Sequence, residues 1–164
     1  MQEIRLIGCD ELVHVQDIVY RTWPDTYGKI LSRQQIDYML QLFYNLPALE
    51  KSMEQDHLYH VFFEDGIPLG FIDVQPNTLP EALKLHKLYV LPDNHGKRIG
   101  KQLFQKAEEI AKVHGMKRLY LNVNRSNNAI EFYRAMGLQV LKEEDVDIGN
   151  GYLMEDFVME KILD

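Results

Sequence analysis

Two stretches of this chain carry residue types arranged for chemistry. The first is Leu85–Lys101, LHKLYVLPDNHGKRIGK. An apolar run ends at Val90, a proline-led turn follows, and His95-Gly96-Lys97-Arg98-Ile99-Gly100-Lys101 opens an amphipathic segment. A strand, a glycine- and base-rich loop and a helix start together make an anion-binding device. The first backbone N–H groups of a helix have no internal partner, and its macrodipole favours negative charge. Glycine lets backbone approach a phosphate, while Lys97, Arg98 and Lys101 add charge. No Asp or Glu occurs from Asn94 through Ala107. The loop has neither the GxxxxGK[ST] spacing nor GxGxxG, so it suits a phosphate-bearing cofactor held in another way. Taken alone, the same composition also fits a solvated basic turn.

The second stretch is Leu119–Leu138, LYLNVNRSNNAIEFYRAMGL: a strand, an asparagine-rich turn and a short helix. Asparagine amides at a strand end, here Asn124 and Asn127, can bond the amides of an extended ligand. Tyr133 shares a helical face with Ala129, Ile130 and Met136. A half-buried core tyrosine is the competing reading at that position.

The elements that must position these residues follow from periodicity. Ile4–Ile7 reads as a strand, and Asp10 as the cap of a helix carrying Leu12, Val15, Ile18 and Val19. Trp23-Pro24 is expected to break that helix, leaving residues 24–31 irregular. Ser32 is expected to cap a second helix, and Pro47 to precede a third over Ala48–Gln55. Then the period changes to that of strands. His57–Phe63 and Ile67–Val74 form a hairpin about Glu64-Asp65-Gly66, and Pro76 and Pro80 flank a loop. Leu83–Val90, a helix from Ile99 ended by Gly115, Arg118–Val123, a short helix closed by Gly137, and the strands Leu138–Glu144 and Leu153–Ile162 complete the order. This is a mixed α/β pattern with helices on both sheet faces, and one domain over residues 1–164.

Bulk properties narrow the function. The net charge of −7 argues against nucleic-acid binding and is compatible with a cationic substrate. The single cysteine, Cys9, permits no internal disulfide, and the six histidines are scattered, so no metal site is expected. No stretch has the length of a membrane span and the N-terminus does not read as a signal peptide, so a reducing cytoplasm is the expected compartment.

KLYVLP followed by HGKRIGKQLF, and then NAIEFYRAMGL, are similar to the two signature segments of the GNAT superfamily of N-acetyltransferases. That family's loop pattern is Q/R-x-x-G-x-G/A. Here His95 stands first, Arg98 replaces the middle glycine, and Gly100 stands last. Ser126 replaces the usual asparagine, with Asn124 and Asn127 beside it. Trp23-Pro24-Asp25-Thr26-Tyr27, Tyr38-Met39-Leu40 and Glu144–Tyr152 resemble the PaiA-type branch, which is associated with spermidine and spermine.

The resemblance implies a GNAT-type fold: a mixed six- to seven-stranded sheet with a splay, at a β-bulge, between the fourth and fifth strands. It implies acetyl-CoA as co-substrate, with the pantetheine arm in the splay against backbone of Leu88, Tyr89 and Val90. The pyrophosphate would sit on the amides from Gly96 to Lys101, including Ile99, with His95, Asn124, Asn127 and Tyr133 nearby. A backbone N–H of Leu88 or Tyr89 would be the oxyanion donor, and Tyr133 the general acid. The base is not assigned by the family pattern. Asp73 and His86 are candidates, His86 because it lies two residues before Leu88 and would share its strand face. Trp23, Tyr27 and Tyr38 would form an aromatic wall for a cationic amine, beside Asp25, Asp37, Asp145 and Asp147. Dimerisation is an analogy with the superfamily. A peptide or protein N-acetyltransferase and a non-catalytic CoA-binding module remain alternatives.

Overall fold

A computed structural model describes residues 1–164. The elements are β1 (Gln2–Leu6), α1 (Leu12–Tyr27), α2 (Arg33–Phe43), α3 (Leu46–Glu54), β2 (Leu58–Glu64), β3 (Ile67–Leu79), β4 (Ala82–Val90), α4 (Ile99–Val113), β5 (Arg118–Asn124), α5 (Ala129–Ala135), β6 (Gln139–Gly149) and β7 (Tyr152–Ile162). They build one seven-stranded sheet in the order β1-β2-β3-β4-β5-β7-β6. Every neighbouring pair is antiparallel except β4 with β5. The element order and the mixed sheet agree with the sequence reading.

Four local expectations are corrected. A short 3₁₀ turn, Cys9–Glu11, precedes α1, and no side chain caps the helix, so Asp10 is not its cap. Pro24 lies inside α1, which continues to Tyr27. The proline forfeits one backbone bond, yet Trp23 and Tyr27 are both buried in the core, and that burial holds the turn. α3 starts at Leu46 and not at Ala48: Asn45 caps it by accepting the Ala48 N–H at 2.8 Å, with Pro47 inside the first turn. β3 continues through Pro76 to Leu79, and a register shift between those residues absorbs the proline. The Ser32 cap is present, accepting the Gln35 N–H at 3.1 Å.

Side-chain alternation separates the two faces of the sheet. Tyr59, Phe71, Tyr89 and Trp23 form a continuous aromatic row on the α1 side. His60, Ile72 and Leu88, opposed across β2, β3 and β4, lie on the α4 side. α4 presents Leu103, Phe104, Ala107, Ile110 and Ala111 to that face, and α5 joins it through Phe132 against Phe104.

His60 is buried, and its Nδ1 has no partner. Burial, assisted by the nearby Lys106 charge, pushes its pKa down to about 4. The unfolded chain accepts this proton near pH 6.5, so the stability involved is complete above that value and is lost as pH falls toward about 4. The thermal midpoint should drop over that window, and His60→Gln should make the drop shallower. Calorimetric scans from pH 7 to 4 check this, and identical slopes for the two proteins would refute it.

Candidate active site

The parallel pair that the site depends on is short. β4 meets β5 only at Ala82–Arg118, Leu83–Leu119 and Lys84–Tyr120. Beyond Lys84 the strands part. On the other edge of β4, Val74 opposes Leu85 while Asp73 opposes Lys87, so His86 is an extra residue, a β-bulge. The bulge bends β4 away from β5.

Hydrogen-bond alternation fixes which backbone groups face the gap. The Leu91 N–H donates to Leu69 O at 2.9 Å, a bonded position of the antiparallel ladder. Bonded and non-bonded pairs alternate, so Tyr89 bonds toward Phe71, while the N–H and C=O of Leu88 and Val90 turn into the splay. His95 confirms the direction at Val90, whose carbonyl accepts from the His95 Nε2–H at 2.9 Å. Of the two backbone donors expected from the sequence, Leu88 faces the gap and Tyr89 does not.

The loop beyond β4 leads into the start of α4. Gly96 has φ +84°, and Arg98, the residue before the helix, has φ 62° and ψ 18°. Arg98 therefore takes the left-handed conformation that glycine adopts freely. Its substitution for glycine leaves the backbone path intact at a cost in strain. Arg98→Gly should raise stability by about 1 kcal/mol, measured by urea unfolding. An unchanged or lower midpoint would show that the guanidinium makes up the strain.

No side chain caps α4, and the first intrahelical bond is Gln102 N–H to Arg98 O at 3.1 Å. The N–H groups of Ile99, Gly100 and Lys101 are thus left for a ligand. A methyl group added at Gly100 would meet only ordinary contacts, the Phe132 ring at 3.6 Å and Leu88 Cδ2 at 3.9 Å. Nothing inside the protein demands glycine there, and its bare backbone lies against the cleft. These donors, the absence of acid and the open strand edge fit a phosphate-bearing cofactor with an amide-rich arm.

One cleft of about 1890 Å³ gathers the splay and the loop. It is lined by Trp23, Tyr27, His86, Leu88, Tyr89, Val90, His95, Gly96, Arg98, Ile99, Gly100, Lys101, Asn124, Asn127 and Tyr133. Lys97, Tyr38 and Asp73 do not line it. Lys97 donates to Asn94 Oδ1 at 3.0 Å. The Tyr38 hydroxyl donates to Ile148 O at 2.8 Å and its ring packs on Tyr152, so it secures the β6–β7 hairpin instead of walling the cleft.

Tyr133 projects from α5 and is buried, with Phe104 and Phe132 against its ring. Burial, with a smaller contribution from Tyr27, pushes its hydroxyl well above the usual phenol pKa, so it keeps its proton at neutral pH. Asn127 accepts the Ala129 N–H through Oδ1 at 2.9 Å, which orients its Nδ2–H toward the Tyr27 hydroxyl at 3.5 Å. That hydroxyl lies 3.3 Å from Tyr89 OH. Asn124 Oδ1 accepts the Ser126 N–H at 2.9 Å and shapes the turn.

The two candidate bases have other partners. Asp73 is fully buried, with His57 Nδ1 2.9 Å from both carboxylate oxygens and Lys87 Nζ 3.0 Å from Oδ2. It is a structural anion with no face toward substrate. His86 stacks on His57 with ring centres 4.2 Å apart, on the α1 side. Leu88 points to the α4 side, toward Gly100. The bulge thus breaks the alternation that would have put His86 and Leu88 on one face. Burial pushes the His86 pKa down to about 3. Its Nε2–H donates to Gln75 Oε1 at 2.9 Å, leaving a neutral ring too weakly basic to take a proton at neutral pH.

The far wall of the cleft carries residues that sequence reasoning missed as site residues. Asp156 on β7 is buried, and Glu144 on β6 lies opposite it. Asn122 Nδ2 donates to Glu144 Oε2 at 3.2 Å and to Asp156 Oδ2 at 3.4 Å. One signal was available: Asp156 alternates with Met154 and Val158, an acid on an otherwise apolar strand stripe. Asp145 and Asp147, which were expected here, are otherwise engaged. Asp145 pairs with Arg125 at 2.8 Å, and Asp147 accepts the Gly149 N–H at 2.8 Å.

Known proteins share this fold. Residues 13–138 match the model of the Acetyltransferase (GNAT) family. The spermidine N(1)-acetyltransferase of Thermoplasma acidophilum is 31% identical over 97% of this chain and 96% of its own length. An uncharacterized N-acetyltransferase of Lactobacillus delbrueckii subsp. lactis is 28% identical over 87% of this chain and 86% of its own. The crystal structure of the PaiA N-acetyltransferase from Thermoplasma acidophilum in complex with coenzyme A superimposes with a TM-score of 0.84, at 30% identity, over 99% of both chains. The chain belongs to the GNAT family of acetyltransferases. It is an N-acetyltransferase that uses acetyl-CoA, and among known members it resembles the PaiA type. No metal-binding group is present, and no helix is long and apolar enough to cross a membrane.

Proposed function

We propose that this enzyme acetylates a primary amine of a polyamine such as spermidine or spermine. The observation that carries this reading is the part of the cleft where Asp156 lies near Tyr27 and opposite Glu144, two lining carboxylates that have no salt-bridge partner. Unpaired carboxylates beside aromatic faces favour a flexible, multiply charged cation. The spermidine-acetylating relative, similar along its full length, supports the same choice.

Acetyl-CoA supplies an activated acyl group as a thioester. The free N–H groups of Ile99, Gly100 and Lys101 hold its phosphates, with Arg98 and Lys101 as charge partners. The backbone of Leu88 and Val90 orients the pantetheine amides. The Leu88 N–H donates to the oxygen on which charge develops, a preorganised contact of the kind that contributes most in acyl transfer. Tyr133, which holds its proton at neutral pH, donates it to the departing sulfur.

A thiol-release assay with spermidine, spermine, simple diamines, lysine and an alanine-led peptide tests the reading. Fastest turnover with the polyamines is expected. Turnover of the peptide alone would overturn the small-amine reading in favour of protein acetylation.

A further inference from the structure

We infer that Asp156 is the group that receives the acceptor amine: its carboxylate binds the entering ammonium and takes a proton from it before attack. This rests on the amine-acetylating reading and does not depend on which amine is used. Three observations carry it. First, Asp156 is 4% exposed and yet lines the cleft, close to Tyr27. Second, its only side-chain hydrogen bond is the 3.4 Å contact from Asn122, and it joins no salt bridge. Lys84 faces it without forming an ion pair. A buried carboxylate with no cation in contact is costly, and an entering ammonium offsets that cost. Third, the two candidates suggested by sequence are accounted for elsewhere: Asp73 by His57 and Lys87, and His86 by its bond to Gln75.

The groups facing Asp156 come from five places. They are Asn122 on β5, Glu144 on β6, Lys84 on β4, Tyr27 on α1, and Arg125 after β5. Arg125 is held by Asp145 at 2.8 Å and by the Asp156 carbonyl at 3.2 Å, so it does not neutralise the carboxylate directly. Burial raises the Asp156 pKa, with Asn122 opposing, and this makes it a stronger base than an exposed carboxylate. Glu144, tied to the same Asn122 amide, adds a second negative charge that holds the ammonium.

The protons balance as follows. The amine arrives with three N–H protons and leaves as an amide with one. One proton passes to Asp156 and on to solvent. The nitrogen lone pair forms the N–C bond as the C–S pair leaves with sulfur. Tyr133 protonates that sulfur and recovers the second proton released from nitrogen.

The test compares wild type, Asp156→Asn and Asp156→Glu across pH 6–9, with whichever amine of the panel turns over and with acetyl-CoA affinity measured by calorimetry. Asp156→Asn should bind acetyl-CoA normally and lose about 100-fold in kcat/KM at pH 7. Its rate should then climb about tenfold per pH unit, as free amine replaces ammonium, closing the gap to wild type at high pH. Asp156→Glu should keep a general base at reduced rate, with its acid limb displaced from the wild-type position. Asp156→Asn within threefold of wild type, or with a loss that is equal at every pH, would overturn the assignment. Should Asp156→Asn not fold, Asp156→Glu decides: the proposal requires its acid limb to move while acetyl-CoA affinity stands, and an unmoved limb refutes it. If spermidine is inert and another amine reacts, the polyamine reading falls while these profiles still judge Asp156.

Discussion

Tyr133→Phe is expected to lower kcat by about 100-fold or more, in the range that a positioned general acid supplies. Acetyl-CoA affinity should change little. The substitution removes one oxygen from a buried ring whose packing against Phe104 and Phe132 is retained. No hydrogen bond within the protein is lost, because the hydroxyl opens to the cleft and no side chain engages it. Stability should therefore move by less than about 1 kcal/mol. Burial holds the phenol protonated, so the wild-type rate should show no loss of the acid form between pH 7 and 9. Stopped-flow thiol release and calorimetric binding of acetyl-CoA separate the two effects. Activity within threefold of wild type would remove Tyr133 from the reaction, and a parallel loss of acetyl-CoA binding would reassign it to cofactor contact.

Asp73→Asn is expected to produce the largest loss of stability. The carboxylate is fully buried between His57 and Lys87, and Lys87 also reaches Tyr59 OH at 3.3 Å. Neutralising Asp73 leaves the Lys87 ammonium buried and uncompensated, which costs about 3–5 kcal/mol. For a chain of this length that corresponds to roughly 6–20 °C in the unfolding midpoint. Asp73→Asn combined with Lys87→Met should lose less than Asp73→Asn alone, because no lone charge remains. A double variant as unstable as the single would show that packing, not charge, dominates.

Acid acts through the same pair. Burial alone would raise the Asp73 pKa, but the bond from His57 and the Lys87 charge outweigh it and hold the carboxyl below the usual range. Its contribution is thus present above the unfolded carboxyl value of about 3.9. It is lost as pH falls through the lower folded value. The pair also bears on function. Lys87 stands between the bulged His86 and the gap-facing Leu88, so anchoring it fixes the strand path that turns the Leu88 N–H into the cleft.

Much of this was legible in the chain itself. The order of elements, the loop with its acid-free flank, and Tyr133 on its short helix are local patterns: periodicity, turn residues and charge within a few positions. Helix and strand periods depend on neighbours in sequence, so they can be read there. Gly115 and Gly137, both at positive φ after helices, were readable for the same reason.

What the sequence could not decide involves partners far apart along it. Pro24 looked like a helix break because propensity is local, and only the burial of Trp23 and Tyr27 in the core overrides it. The bulge at His86 is a register mismatch between β3 and β4, invisible in either strand alone. It turned His86 away from Leu88 and set Tyr89 against Phe71. Asp73 looked available until folding brought His57 and Lys87 onto it. Asp156, Glu144 and Asn122 come from three strands and share one amide only after β5, β7 and β6 pair in register. Sequence by itself determined the family, the order of elements and the glycine- and base-rich loop, because those depend on neighbours along the chain. Tertiary structure alone decided which side chains gather in the cleft with free carboxylates, because their positions depend on strand register and on which charges find a partner across the sheet.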